Sequence, residues 1–159
     1  MTGHRRESFG DGFASICRAI ATLAGRHPEL DIVYPLHLNP SVQEPVNRLL
    51  SGLPNVRLIA PQSYVPFVAL MYRAAPILTN SGGVQKEARS LEKPVLVIRD
   101  QPERQEVLDD GSRLVGRNED RILSETERLL SDESHYLQMA EAINPYGENQ
   151  LVQLLAKLC

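Results

Sequence analysis

Apolar residues in this chain follow two alternating patterns, and this alternation constrains the fold more than any other feature of the sequence. Short aliphatic runs, typical of buried strands, are separated by segments whose apolar residues recur at helical spacing. The clearest run is 94–100 (PVLVIRD), because an unbroken aliphatic stretch is typical of a parallel strand covered on both faces. The alternation predicts βαβ units, and therefore an α/β fold with a Rossmann-like, doubly wound parallel sheet.

The predicted elements cover most of the chain. The predicted strands are 31–38, 55–60, 76–80, 94–100 and 112–116, and the predicted helices are 10–26, 41–52, 64–74, 81–91, 104–108, 119–131, 133–143 and 147–158. Ser41 and Glu44 have the spacing of a capping box, so Ser41 is expected to cap its helix. We expect His27 and His135 to face solvent, because they lie at a helix end and on a helix surface.

Composition narrows the class of protein. A chain of 159 residues, 42% of them hydrophobic, is long enough for one domain that needs no disulfide or metal to hold its core. Cys17 and Cys159 lack zinc-binding spacing, and free thiols fit a cytoplasmic location. A formal charge of -3 without a lysine-rich stripe argues against a nucleic-acid partner, and no apolar run approaches the roughly 18 residues of a membrane span.

The polar segment 2–10 has the position of a loop that follows a strand, although no strand precedes it. Met1 stands where that strand should end, in what is normally the centre of the sheet. We therefore expect the first strand to be absent. The alternative is that the segment caps an edge of the sheet.

Ligands of open parallel sheets bind beyond the carboxyl ends of the strands, and the strongest candidate there is 79–83 (TNSGG). Gly82 and Gly83 let a ligand approach the backbone, the first-turn amides attract an anion, and the Ser81 hydroxyl can bind a phosphate oxygen. The segment lacks a Walker lysine and a third glycine, so it favours the diphosphate of a nucleotide sugar over ATP or NAD. A plain glycine turn with a serine cap is the alternative.

For three further residues, the sequence pattern alone leaves both a functional and a structural role open. Glu87 lies about one helical turn further on, where its carboxylate could bind ribose hydroxyls or simply be solvated. Phe67 could stack on a base or belong to the core. Arg104 could neutralise a phosphate or form a surface ion pair with a neighbouring glutamate.

Two loops that contain a histidine are candidates for catalytic or ligand-binding roles. His4 lies in the dense cluster 4–7 (HRRE), which could supply an acid, a base and anion contacts, or could be an exposed charged terminus. His37 follows a predicted strand, and that position favours a functional role over a structural one.

These loops, in this order, resemble the non-hydrolysing UDP-N-acetylglucosamine 2-epimerases. The matching stretches are TGHRRESFG (2–10), YPLHLNPSVQEPVNRLL (34–50), PQSYVPFVALM (61–71), LTNSGGVQKEA (78–88), KPVLVIRD (93–100), ER (103–104) and NPYG (144–147). The resemblance is to the C-terminal half of that family, whose members fold as two Rossmann-like domains of the GT-B type. It implies a single UDP-binding domain over 1–159, with the N-terminal domain absent.

The resemblance also implies a reaction and a set of roles. UDP-GlcNAc and UDP-ManNAc would be interconverted by eliminating UDP across C1 and C2 and adding it back after the glycal is reprotonated on the other face. The implied roles are His4 at the reacting sugar as the catalytic residue, Phe67 against uracil, Ser81, Gly82 and Gly83 at the diphosphate, Glu87 at ribose, Arg104 near the phosphates, and Arg5 with His37 at a second, activating UDP-GlcNAc. No metal or cofactor is implied, and full-length relatives are expected to be homodimers.

This chain departs from the family pattern in several places. Asn80 replaces an aspartate before Ser-Gly-Gly, Arg89 and Glu92 stand where proline and glycine are usual, and Gln105 replaces a proline. The carboxylates that move the proton at C2 belong to the N-terminal half, so we expect UDP binding without turnover. The alternatives are half of a GT-B glycosyltransferase, or a non-catalytic UDP-binding module that receives an N-terminal half in trans.

Overall fold

Helices and strands alternate along the chain, as the apolar pattern predicts. The computed structural model describes residues 1–2, 11–100 and 111–141. The helices are α1 Asp11–Arg26, α2 Pro40–Leu50, α3 Tyr64–Arg73, α4 Gly82–Ser90, α5 Glu119–Ser131 and α6 Glu133–Glu141, and the strands are β1 Ile32–Pro35, β2 Val56–Ile59, β3 Ile77–Thr79, β4 Val95–Val97 and β5 Ser112–Leu114. The predicted helices 104–108 and 147–158 lie outside the described residues.

All strand pairs are parallel, but among the described residues they form two sheets rather than one. One sheet has the order β1-β2 and the other has the order β3-β4-β5. The first two residues lie between the sheets, since the Met1 nitrogen donates to Val33 O at 2.7 Å and Thr2 N donates to Leu78 O at 2.9 Å. The α/β class with parallel pairing is confirmed, and the division into two sheets is a finding of the structure.

Two apolar clusters hold these layers together. The larger joins α1 to α2 and α5, and Phe13, Ile16 and Ile122 are fully buried within it. The smaller lies between α3, α4 and the three-stranded sheet, where Val68, Met71 and others pack on β4. No helix among the described residues has the length and apolar character needed to cross a membrane.

The prediction that Ser41 caps α2 is wrong, because the cap lies two residues earlier. Asn39 is the cap, and its side-chain oxygen accepts from Ser41 N at 3.0 Å. Pro40 explains the shift, because proline suits the first helical position and holds the residue before it extended, which is the conformation of an N-cap. Ser41 therefore lies inside the helix.

The expectation that His135 faces solvent is also wrong. Its side chain is buried where α6 packs on α5, and this burial lowers its pKa. Leu137 on the same helix is exposed instead. His27 is half-buried, with Nδ1 at 3.2 Å from Glu29 Oε1.

Glu92 adopts a left-handed backbone conformation with φ of 55°. It follows α4 in a Schellman arrangement, in which Lys93 N donates to Ala88 O at 3.0 Å and Glu92 N donates to Arg89 O at 2.9 Å. A glutamate is strained in this conformation, and a glycine would not be.

Candidate functional site

The turn between β3 and α4 forms the centre of the candidate site, at the carboxyl edge of the three-stranded sheet. Thr79 and Asn80 are buried, and Ser81 N donates to Thr79 Oγ1 at 3.0 Å. Gln85 N donates to Ser81 O at 3.1 Å, as expected in the first turn of a helix. These hydrogen bonds hold the backbone of the turn in place.

The same turn carries polar groups that make no hydrogen bond within α4. Ser81 is the N-cap residue, but its hydroxyl makes no capping hydrogen bond, and the first turn contains no acidic side chain. Among the described residues, a Cβ added at Gly83 would meet only Ser81 Oγ within 4 Å, at 3.8 Å. A helix N-terminus with unused amides and an unused hydroxyl is suited to an anion such as a diphosphate.

Arg99 supports the turn from the neighbouring strand, and the sequence reasoning missed it. Its side chain is almost fully buried, and Nε donates to Asn80 O at 2.6 Å. The sequence carried no local signal for this contact, because Asn80 and Arg99 are 19 residues apart and the pairing of β3 with β4 brings them together. Arg99 brings a positive charge beneath the turn and fixes the peptide that precedes Ser81.

Glu87 lines a small cleft between α3 and α4. The cleft has a volume of about 160 Å³, and its other lining residues are Tyr64, Val68, Lys86, Ser90 and Leu91. Glu87 is half-buried and lies on the same helix as the glycine turn, one turn further on. Its carboxylate is thus placed to contact a ligand whose phosphates lie on the N-terminus of α4.

Phe67 lies in a different environment from the cleft residues. Its half-buried ring packs against the smaller apolar cluster and lines the apolar cavity between the two sheets. It is not among the residues that line the Glu87 cleft. In this structure Phe67 is mainly a packing residue, and the exposed aromatic beside Glu87 is Tyr64.

His37 follows β1 and is exposed at the carboxyl edge of the other sheet. Asn39 N donates to its Nδ1 at 3.1 Å. This contact makes Nδ1 the acceptor, so the neutral ring carries its proton on Nε2 and can donate from there.

The loop with His4 and Arg5 begins at the same turn. Thr2 Oγ1 lies 2.6 Å from Thr79 Oγ1, and Asn80 N donates to Thr2 O at 3.3 Å. His4, Arg5 and Arg104 themselves lie outside the described residues. Within the described part of the chain, no group of three or more His, Cys, Asp or Glu side chains could hold a metal ion.

Comparison with known proteins connects this geometry to a family. The sequence profile of the family described as UDP-N-acetylglucosamine 2-epimerase matches residues 1–158. The chain belongs to this family. A curated epimerase from Yersinia pestis is 56% identical over 158 residues, which are 99% of this chain and 42% of that protein. The chain thus spans about two fifths of the length of the epimerases that it matches, and it corresponds to their C-terminal half.

Solved structures give the same relationship. The epimerase from Neisseria meningitidis bound to UDP-GlcNAc has a TM-score of 0.87 and 43% identity, covering 99% of this chain and 43% of that one. The C-terminal domain of a group 1 glycosyl transferase from Francisella tularensis has a TM-score of 0.64 at 16% identity, covering 90% of this chain and 79% of that one. At that identity the second likeness concerns the fold alone, and it agrees with the predicted GT-B type.

Proposed function

We propose that this epimerase-family chain is the UDP-binding portion of an enzyme that interconverts UDP-GlcNAc and UDP-ManNAc. The observation that carries the proposal is the β3–α4 turn, where the Ser81 hydroxyl makes no capping hydrogen bond and the Gly82 and Gly83 amides belong to the first helical turn, which leaves them without a partner inside α4. Arg99 fixes the backbone of this turn through Asn80 O. The diphosphate binds at this turn. The helix dipole and the hydrogen-bond donors there stabilise the negative charge that grows on UDP as it leaves.

Glu87 binds the ribose in this arrangement. Its carboxylate can accept hydrogen bonds from both ribose hydroxyls, and the cleft beside α3 gives the nucleoside an apolar wall that includes Tyr64 and Val68. Phe67 lies on α3, as Tyr64 and Val68 do, and is retained as the proposed uracil contact. Its half-burial leaves part of the ring accessible.

The reaction needs proton transfer at C2 of the sugar. A base removes the C2 proton, the C1–O bond breaks, and its electron pair leaves with UDP. A proton then returns to the other face of C2, and a phosphate oxygen of UDP re-forms the bond to C1. We assign His4 to the reacting sugar and Arg104 to the phosphates, and the carboxylates for C2 belong to an N-terminal half, joined to this chain or supplied in trans. The 159-residue chain alone therefore binds UDP without turnover.

His37 and Arg5 belong to a separate proposed site for an activating second UDP-GlcNAc. The His37 tautomer set by Asn39 places a donor on Nε2, which suits a phosphate oxygen. A full-length enzyme with His37→Gln keeps its basal UDP binding but loses activation by excess UDP-GlcNAc. Activation that survives this change would remove His37 from the site.

The principal test is a titration of the 159-residue chain with UDP and with a UDP analogue that lacks both ribose hydroxyls. Glu87→Ala should weaken UDP binding about tenfold or more, since hydrogen bonds to a charged group contribute about 1.5–3 kcal/mol, and should leave binding of the analogue unchanged. Glu44→Ala is the matched control, because Glu44 is also a helical glutamate but is exposed on α2 and paired with Arg48 at 2.9 Å. It should change neither affinity.

Three results would contradict the proposal. Absence of UDP binding at millimolar ligand rejects the nucleotide site, and equal losses for UDP and its analogue in Glu87→Ala reject the ribose contact. Any epimerase turnover by the isolated chain rejects the incomplete catalytic set.

A further inference from the structure

The peptide group that joins Asn80 to Ser81 lies at the start of the β3–α4 turn, and hydrogen bonds hold it at both ends. Its carbonyl oxygen accepts from Arg99 Nε at 2.6 Å. Its N–H, on Ser81, donates to Thr79 Oγ1 at 3.0 Å. Because a peptide group is planar, hydrogen bonds to both its C=O and its N–H fix its orientation.

The orientation of this peptide group governs how well the next amides keep their direction. The N–H groups of Gly82 and Gly83 lie in the first turn of α4, so they have no partner within the helix. Helix ends fray, and a glycine has no Cβ to restrict its backbone. The hold on the preceding peptide group is therefore what keeps these donors directed at a ligand.

Arg99 reaches the peptide group from a well-supported position. Its side chain is buried, and it directly follows Ile98, whose N–H donates to Thr79 O at 3.0 Å and so extends the pairing of β3 with β4. The turn after β5 packs against the Arg99 backbone, since a Cβ added at Gly116 would lie 3.7 Å from Arg99 O. A buried side chain on a supported backbone keeps its donor in one place.

We propose that Arg99 is the positioning residue of the diphosphate site, and that it acts through the Nε hydrogen bond to Asn80 O rather than through its positive charge. The inference rests on the proposed function of the β3–α4 turn, and it names the residue that keeps the donors of that turn directed at the phosphates. Donors that are ordered before the ligand arrives cost less to order when it binds. Arg99 thus contributes to the binding of UDP and not to that of uridine, which lacks phosphates.

Two neutral variants separate the hydrogen bond from the other effects of the arginine. Arg99→Gln has an amide nitrogen at the side-chain position of Arg99 Nε, and Arg99→Met has a methyl group there. Both variants lose the charge and the rest of the guanidinium, so a donor is present in one and absent in the other. UDP binding by the 159-residue chain should stay within about threefold of the parent in Arg99→Gln and weaken about tenfold or more in Arg99→Met.

Arg99→Lys tests the charge from the other direction. Lysine keeps the positive charge but has a methylene group at the position of Nε, so it should weaken UDP binding as methionine does. It also replaces Arg99→Met in the comparison if the methionine variant does not fold.

Two further readouts distinguish positioning from a general loss of structure. Uridine affinity, measured by NMR titration, should be equal in the parent and in all three variants. The Ser81 amide should exchange its hydrogen about tenfold faster or more in Arg99→Met, because its peptide group is no longer held at the carbonyl, while amides in the middle of α5 should keep their rates.

Arg113→Met is the matched control. Arg113 lies in the same sheet, on β5, but its Nη1 pairs with Glu125 Oε2 at 2.7 Å. Removing this guanidinium should leave the ratio of UDP affinity to uridine affinity unchanged.

The outcomes separate this inference from the proposed function. Absence of UDP binding by the parent chain would reject the diphosphate site, and the role of Arg99 with it. In a parent that binds UDP, parent-like affinity in Arg99→Met or equal weakening in Arg99→Gln and Arg99→Met would reject the hydrogen bond alone. Weak binding by Arg99→Gln together with parent-like binding by Arg99→Lys would assign the effect to the charge, and equal losses for UDP and uridine would make Arg99 a structural residue.

Discussion

Replacing Gly83 by alanine separates the stability of the turn from its proposed ability to bind a diphosphate. Gly83 is the second residue of α4, and its φ is not in the left-handed region that favours glycine. Among the described residues, an added methyl group meets only Ser81 Oγ, at 3.8 Å, which is an ordinary van der Waals contact. The fold therefore accommodates alanine at this position without strain.

The expected effects have opposite signs. Alanine is a better helix former than glycine, so the free energy of unfolding of Gly83→Ala should rise by about 0.5 kcal/mol. The same methyl group stands beside the Ser81 hydroxyl, where we place a phosphate. Loss of one hydrogen bond to a charged oxygen costs about 1.5–3 kcal/mol, so UDP binding should weaken by about 10- to 100-fold.

Calorimetric titration with UDP and urea unfolding of the same samples measure both effects. Gly25→Ala is the matched control, because Gly25 is the next-to-last residue of α1 and an added Cβ there meets nothing within 4 Å. It should give a similar gain in stability and unchanged UDP affinity. A Gly83→Ala protein that binds UDP as tightly as the parent would refute the placement of the diphosphate on this turn.

Two further predictions concern stability. Asn55→Ala should lower the free energy of unfolding in urea by about 1–3 kcal/mol, because the buried Asn55 amide donates to two carbonyls that end α1, at 3.1 and 3.0 Å. Glu92→Gly should raise it by about 1 kcal/mol, since glycine accepts the φ of 55° without strain, whereas Glu92→Ala should not.

Much of the fold could be predicted from local patterns. The bounds of α1 and α5 follow from apolar residues at helical spacing, and β4 follows from the aliphatic run entered through Pro94. The turn at 79–83 was likewise predictable, because paired glycines after a buried strand mark a strand-to-helix turn. Strand lengths were overestimated, since a ladder extends only as far as the neighbouring strand pairs with it.

The candidate site was only partly predictable, and the errors have a common cause. From the sequence, Phe67 could equally have been a base contact or a packing residue. Its position against the smaller cluster depends on how α3 packs over the apolar cavity between the two sheets. The role of Arg99 depends on the proximity of β4 to Asn80, which is distant in the chain. His135 was assigned to the wrong face because only the packing of α6 on α5 decides which side of that helix is buried.

The sequence by itself determined the order of helices and strands, the family, and the strand-to-helix turn at 79–83 where we propose that a diphosphate binds. These features depend on periodicity, turn chemistry and motifs within a few neighbouring residues. Only the tertiary structure decided that the Arg99 side chain lies against Asn80 in the turn and that His135 is buried where α6 packs on α5. Burial and backbone pairing are set by residues far apart in the chain, so no local pattern contains them.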